Sequence, residues 1–131
     1  MLDLKALLSK ILDAIKVDYV VEQHFSTGSS DPWNYRKWNS GMAECWRSYS
    51  GTNSTSGAVL GGYYAVASFT FPSGLFISEP PLVLASGRQG TGISMVCARD
   101  ASKTNTTIHI LTNQSGSNNL IVRLYARGKW K

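Results

Sequence analysis

Residues 33–49 read WNYRKWNSGMAECWRSY. The stretch alternates in polarity, turns at Asn39-Ser40-Gly41 and alternates again, the pattern of a β-hairpin. Gly41 is free to take the positive φ that closes such a loop. A three-residue loop pairs Trp38 with Met42, Arg36 with Glu44 and Asn34 with Trp46, and sets Tyr35 across from Cys45 on the other face. A carboxylate directly across the ladder from a guanidinium is worth about 0.2–1 kcal/mol. A two-residue loop would pair Lys37 with Glu44 instead, so charge alone leaves both registers open. In either register both faces carry large side chains. Such a pair is expected to be covered twice: once by its own second sheet, and once by a ligand or another copy of the chain.

Outward from the hairpin the same period-two pattern runs from residue 19 to the C-terminus. It predicts strands over 19–25, 33–38, 42–49, 62–71, 81–86, 92–99, 106–112 and 120–127. Gly/Ser/Asn clusters such as SYSGTNSTSG, SGRQGTG and NQSGSNN separate them. About eight short strands at this spacing indicate a mainly β protein, an antiparallel β-sandwich or jelly roll. Val83, Ile93, Ile108, Ile110 and Ile121 are expected on its inward faces. Nothing divides the region, so residues 18–131 read as one head domain.

The first sixteen residues, MLDLKALLSKILDAIK, have no Gly, Pro or aromatic. Met1, Leu4, Leu8, Ile11 and Ile15 fall on a heptad seam, flanked by Leu7 and Leu12. Two heptads are marginal as an isolated helix in water, so this one needs a partner. Residues 1–17 are therefore expected to form a short coiled-coil helix that self-associates, a domain-packed helix being the alternative. Opening at Met1 directly into a heptad, the chain suits the excised end of a longer protein as well as a whole short one.

Composition narrows the class. Of 131 residues 43% are hydrophobic, enough for one core, and only 16% are charged. A surface covered by Ser, Thr, Asn and Gly suits a structural part, a secreted module or a subunit that buries much of itself. The net charge is +5, from 13 Lys and Arg against 8 Asp and Glu. No basic run exceeds Arg36-Lys37, which argues against nucleic acid as a partner. Arg123, Arg127, Lys129 and Lys131 alternate with apolar residues like one face of a strand. Cys45 and Cys97 sit among small or apolar neighbours and read as two reduced core thiols. With two Cys and two His far apart, a metal site is not expected. There is no apolar run for membrane insertion, and Asp3, Lys5, Lys10 and Asp13 interrupt any signal-peptide core. A chain made and kept in a cytoplasm is the expectation, with the Asn-x-Ser/Thr triplets at Asn53, Asn105 and Asn113 arising by chance.

Catalytic patterns are missing. No Gly-x-Ser-x-Gly occurs, His24 and His109 stand alone, and Asp31 and Asp100 lack a partner carboxylate for glycosidase chemistry. Ser115-Gly116-Ser117 and Gly90-Thr91-Gly92 read as turns and not phosphate loops, because no helix follows. Neither an enzyme nor a cofactor is expected.

The pattern Trp33-x-Tyr35-Arg36-Lys37-Trp38-x-Ser40-Gly41-x-Ala43-Glu44-Cys45-Trp46 resembles a motif near the C-termini of phage and prophage tail-fibre and baseplate proteins. Phe69-Thr70-Phe71-Pro72, then Phe76 and Glu79-Pro80-Pro81-Leu82-Val83, is similar to a second segment of the same fibre-tip domains, and more loosely to H-type lectins. The resemblance covers residues 19–127. It implies a homotrimeric β-sandwich head on a virion tail tip, assembled in the host cytoplasm with other phage tail proteins. Its ligand would be a bacterial cell-surface saccharide or teichoic acid. A free lectin-like module and a purely architectural tail component are the alternatives.

Trp33, Tyr35 and Arg36 are the candidate ligand contacts, since aromatic faces stack on sugar rings and polar groups orient them. Trp33 follows Ser29-Ser30-Asp31-Pro32 at a loop-to-strand junction, where exposure is expected. Leu4, Leu8, Ile11, Ile15, Trp38, Glu44 and Trp46 are the candidate oligomer interface, with the core as the other reading of Trp38 and Trp46. Arg36 and Glu44 form either an interface ion pair or part of the ligand site.

Overall fold

The computed structural model describes residues 3–131; Met1, the first seam position, lies outside them. One helix, α1 (Leu4–Ala14), precedes eight strands: β1 (Val20–His24), β2 (Asn34–Trp38), β3 (Met42–Val59), β4 (Gly62–Thr70), β5 (Leu82–Gln89), β6 (Ser94–Ala101), β7 (Asn105–Thr112) and β8 (Ser117–Lys129). All strand pairings are antiparallel. The mainly β reading with one N-terminal helix therefore holds.

Two sheets share β3. Its first part, Met42–Ser54, lies between β2 and β8, giving the order β1-β2-β3-β8-β5. Its last residues pair with β4, giving β3-β4-β7-β6. The register slips between Thr55 and Gly57, and a bulge of this kind lets one strand bend from one sheet into the other. SYSGTNSTSG, expected as a break, is thus strand throughout. Residues Ser48 to Ser54 are held residue for residue against Arg123 to Ser117. A turn-like composition and a polar strand with a long partner look alike in sequence, and the partner decides.

The inner faces make one core. β8 contributes Leu120, Val122, Leu124 and Ala126, β7 contributes Ile108 and Ile110, and Ala43, Cys45, Ala65 and Phe69 fill between them. Phe71 and Phe76 close one end, edge to face at 5.2 Å. Two of the expected inward residues face the other way. Ile93 is 78% exposed because it precedes β6, and Ile121 lies on the outer face of β8, where parity also puts Arg123 and Arg127 in solvent. Cys97 is exposed on β6, so Cys45 is the one core thiol.

Helix α1 begins on Asp3, whose carboxylate accepts the Lys5 and Ala6 amides at 3.0 and 3.2 Å, a cap worth about 1 kcal/mol. It ends as Lys16 turns to φ +57°. No described helical residue is buried. Leu4, Leu8, Ile11 and Ile15 are 72, 56, 49 and 60% exposed, so the seam does not pack on the head. The junction is polar. Tyr19 and Asn39 donate to the Asp13 carboxylate at 3.1 and 3.2 Å, and Ser40 donates to Asp18.

Candidate functional site

The hairpin forms in the three-residue register: Asn34 faces Trp46, Tyr35 faces Cys45 and Arg36 faces Glu44. Gly41 takes φ +96° at the turn, and Trp130 donates from its backbone to Gly41 and from its indole to the Trp38 carbonyl at 2.8 Å. Lys37 does not reach Glu44. It lies opposite Ala43 and pairs with Glu22 at 3.0 Å.

Alternation along β2 separates the three candidate ligand residues. Arg36 is on the face turned away from the core, with its guanidinium 5.2 Å from the Trp46 ring and 3.7 Å from Glu44. Tyr125 donates to the same carboxylate at 2.7 Å. Burial and that bond hold the Tyr125 phenol above its usual range. Trp38 and Trp46 are half-buried, and Leu82 and Leu84 extend this face, 68% and 58% exposed.

Tyr35 is on the opposite face. It stacks on His24 at 5.0 Å and donates to Glu22 at 2.9 Å, and burial followed by that bond raises its phenol. Bonds from Lys37 and Tyr35 lower the Glu22 carboxyl. His24 meets Asp31 at 2.7 Å, and this bond, with one from Thr27, lowers the Asp31 carboxyl. The histidine read as solitary thus fixes the loop before β2.

Trp33 is 5% exposed, not the open platform its junction position suggested. Its indole donates to the Thr70 carbonyl at 2.7 Å and its ring packs 5.7 Å from Phe71. The loop before β2 is folded back by Asp31 and Thr27, which pulls the indole into the gap between the sheets. One edge of that indole lines a cleft of about 630 Å³ between β3 and β4.

Arg47, missed by the reading of the sequence, occupies this cleft. Its guanidinium lies 5.5, 5.7 and 5.4 Å from the rings of Trp33, Tyr49 and Phe69. The available signal was its parity: Arg47 is two residues from both Cys45 and Tyr49, at an inward position of an alternating strand. Among the described residues no group of three or more His, Cys, Asp or Glu side chains is placed to hold a metal ion, and no helix is long and apolar enough to cross a membrane.

No protein-family model matches the chain, and no curated protein does. Among solved structures, the chain is similar to an N-truncated R1-type pyocin tail fibre, with a TM-score of 0.58, 15% identity, and cover of 92% of this chain and 94% of that one. It is also similar to the Pseudomonas aeruginosa R1 pyocin fibre comprising C-terminal residues 323–701, with a TM-score of 0.60 and 17% identity. There the match covers 92% of this chain and 31% of the other. At these identities the likeness is one of fold.

Proposed function

We propose that the chain is the head of a phage-type tail fibre, a virion structural part that trimerises through its N-terminal helix and recognises a bacterial surface saccharide or teichoic acid. The observation that carries this reading is the shared fold with tail fibres over 92% of the chain. The uncovered seam Leu4-Leu8-Ile11-Ile15 supports the trimer, since an amphipathic helix with no buried residue needs other copies of itself. Residues 1–17 then act as stem and 18–131 as head, and the half-buried Trp38, Glu44 and Trp46 lie where heads meet. Three linked heads raise a weak single-site affinity by about 10²–10⁴-fold where the geometry allows simultaneous contact.

The test is adhesion. Fluorescent full-length chain is expected to coat susceptible bacteria, and purified surface polysaccharide to displace it. Failure to label any member of a broad bacterial panel would contradict the reading. The exposed face formed by Leu60, Ile93, Met95 and Leu111 favours one alternative, an architectural component that binds only other tail proteins. Capture of neighbouring tail proteins without any cell labelling would establish that alternative.

A further inference from the structure

We propose that the cleft around Arg47 binds an anionic group, a carboxylate or a phosphate carried on a surface polymer, with the Arg47 guanidinium as its partner. The proposal rests on the reading of the chain as an adhesive head and names the chemistry that such a head selects.

Three observations converge on Arg47. The first is its aromatic enclosure: Trp33, Tyr49 and Phe69 surround the guanidinium at 5.4–5.7 Å. The rings themselves are fixed, Trp33 by its bond to Thr70 and Tyr49 by edge-on packing against Phe69 at 5.3 Å. Ordering this long side chain has therefore already occurred in the free protein, which lowers the cost of binding. The second is the lack of a counter-charge. Among the described residues the ion pairs use His24, Arg36, Lys37, Arg99 and Lys129, and none uses Arg47. Its Nε is buried without a protein acceptor, so part of the desolvation cost of a guanidinium is borne with no hydrogen bond in return. Aromatic faces offset some of that cost, but they accept no directed N–H bond.

The third is access on two sides. Arg47 lines the cleft against β4, and also a second depression of about 360 Å³ edged by Ser26, Ser29, Ser48 and Ser50. No Asp or Glu lines either depression. A planar fork with free donors, an apolar floor and a rim of hydroxyls suits an oxyanion attached to a sugar or polyol. The oxyanion takes two parallel N–H bonds, and the hydroxyls meet the neighbouring ring or chain.

The experiment follows the side-chain Nε–H resonance of Arg47, with the backbone amides, in full-length chain titrated with inorganic phosphate, glucuronate and neutral glucose at matched chloride. Saturable shifts confined to the cleft with phosphate or glucuronate, and none with glucose, are expected. Preference for one anion identifies the source as a phosphate-bearing or a uronic-acid polymer. Arg47→Lys, which keeps the charge and loses the fork, is expected to weaken binding about tenfold. Cell labelling by the same protein is measured in parallel. No saturable shift with either anion overturns the anion site, and retained cell labelling then leaves the adhesive reading standing. Saturable anion binding without cell labelling keeps the site and overturns the adhesive reading.

Discussion

At the scale of single residues, the hairpin's charges are held by partners rather than by depth. Glu44 is largely covered, at 17% exposed, but Arg36 is 39% exposed and the two lie 3.7 Å apart, so water screens the pair and it is worth about 1 kcal/mol or less. The shorter bond from Tyr125 to Glu44 matters more. Tyr125→Phe is expected to lower stability by about 1–2 kcal/mol, read from the urea midpoint. An unchanged midpoint would mean that water replaces the bond at no cost. On the inner side, Glu22 is depressed by Lys37 and Tyr35, so the folded carboxyl binds protons less readily than the unfolded one. Its contribution is full above the unfolded value of 4.5 and is lost as pH falls through the lower folded value. Glu22→Gln is therefore expected to flatten the acid limb of the stability profile and leave pH 7 to pH 9 unshaped. The thiols divide likewise. Burial pushes Cys45 up, so iodoacetamide is expected to modify Cys97 alone in the native chain, and both thiols after unfolding. Native-state modification of Cys45, read by peptide mass, would contradict its place in the core.

At the scale of elements, helix and head are joined by polar contacts and divided by exposure. Replacing Leu8 and Ile11 together by Asp removes the middle of the seam and touches nothing buried in the head. The expected result is loss of association with the head's intrinsic fold retained, seen as unchanged near-ultraviolet dichroism; collapse of that signal would show that α1 is part of the head. The hairpin and its turn at Gly41 were legible in sequence, but its register was not: Arg36 and Lys37 were equally good partners for Glu44, and only the observed ladder sets Arg36 opposite Glu44 and Lys37 opposite Ala43. The length of β3 was not. Ser, Thr, Asn and Gly mark turns and also polar strands, and only the thirteen-residue ladder with β8 distinguishes the two. Parity failed at Ile121 and Ile93 for a related reason: Ile121 stands between Leu120 and Val122 in an unbroken alternation, so apolar residues occupy both faces and the pattern alone does not say which is inward, and Ile93 precedes the start of β6. Arg47 was hidden because an inward charge reads as an error until the rings from β3, β4 and the loop before β2 are seen to meet around it.

At the scale of the whole molecule, exposed apolar residues fall on the helix, on and just after β1 at Val20, Val21 and Phe25, at Ile77, on the outer face at Leu82 and Leu84, and near Leu60 and Ile93. A single copy leaves all of them in water, and the stem most of all, since its helix is too short to persist alone. In the proposed trimer three copies would share these surfaces, and the polar junction at Asp13, Tyr19 and Asn39 would set where each head hangs from the helix. Sedimentation equilibrium of the full chain decides whether this assembly forms. The expected result is a single species of three chains that gives way to single chains when Leu8 and Ile11 are both replaced by Asp. A stable single chain before any substitution would contradict it.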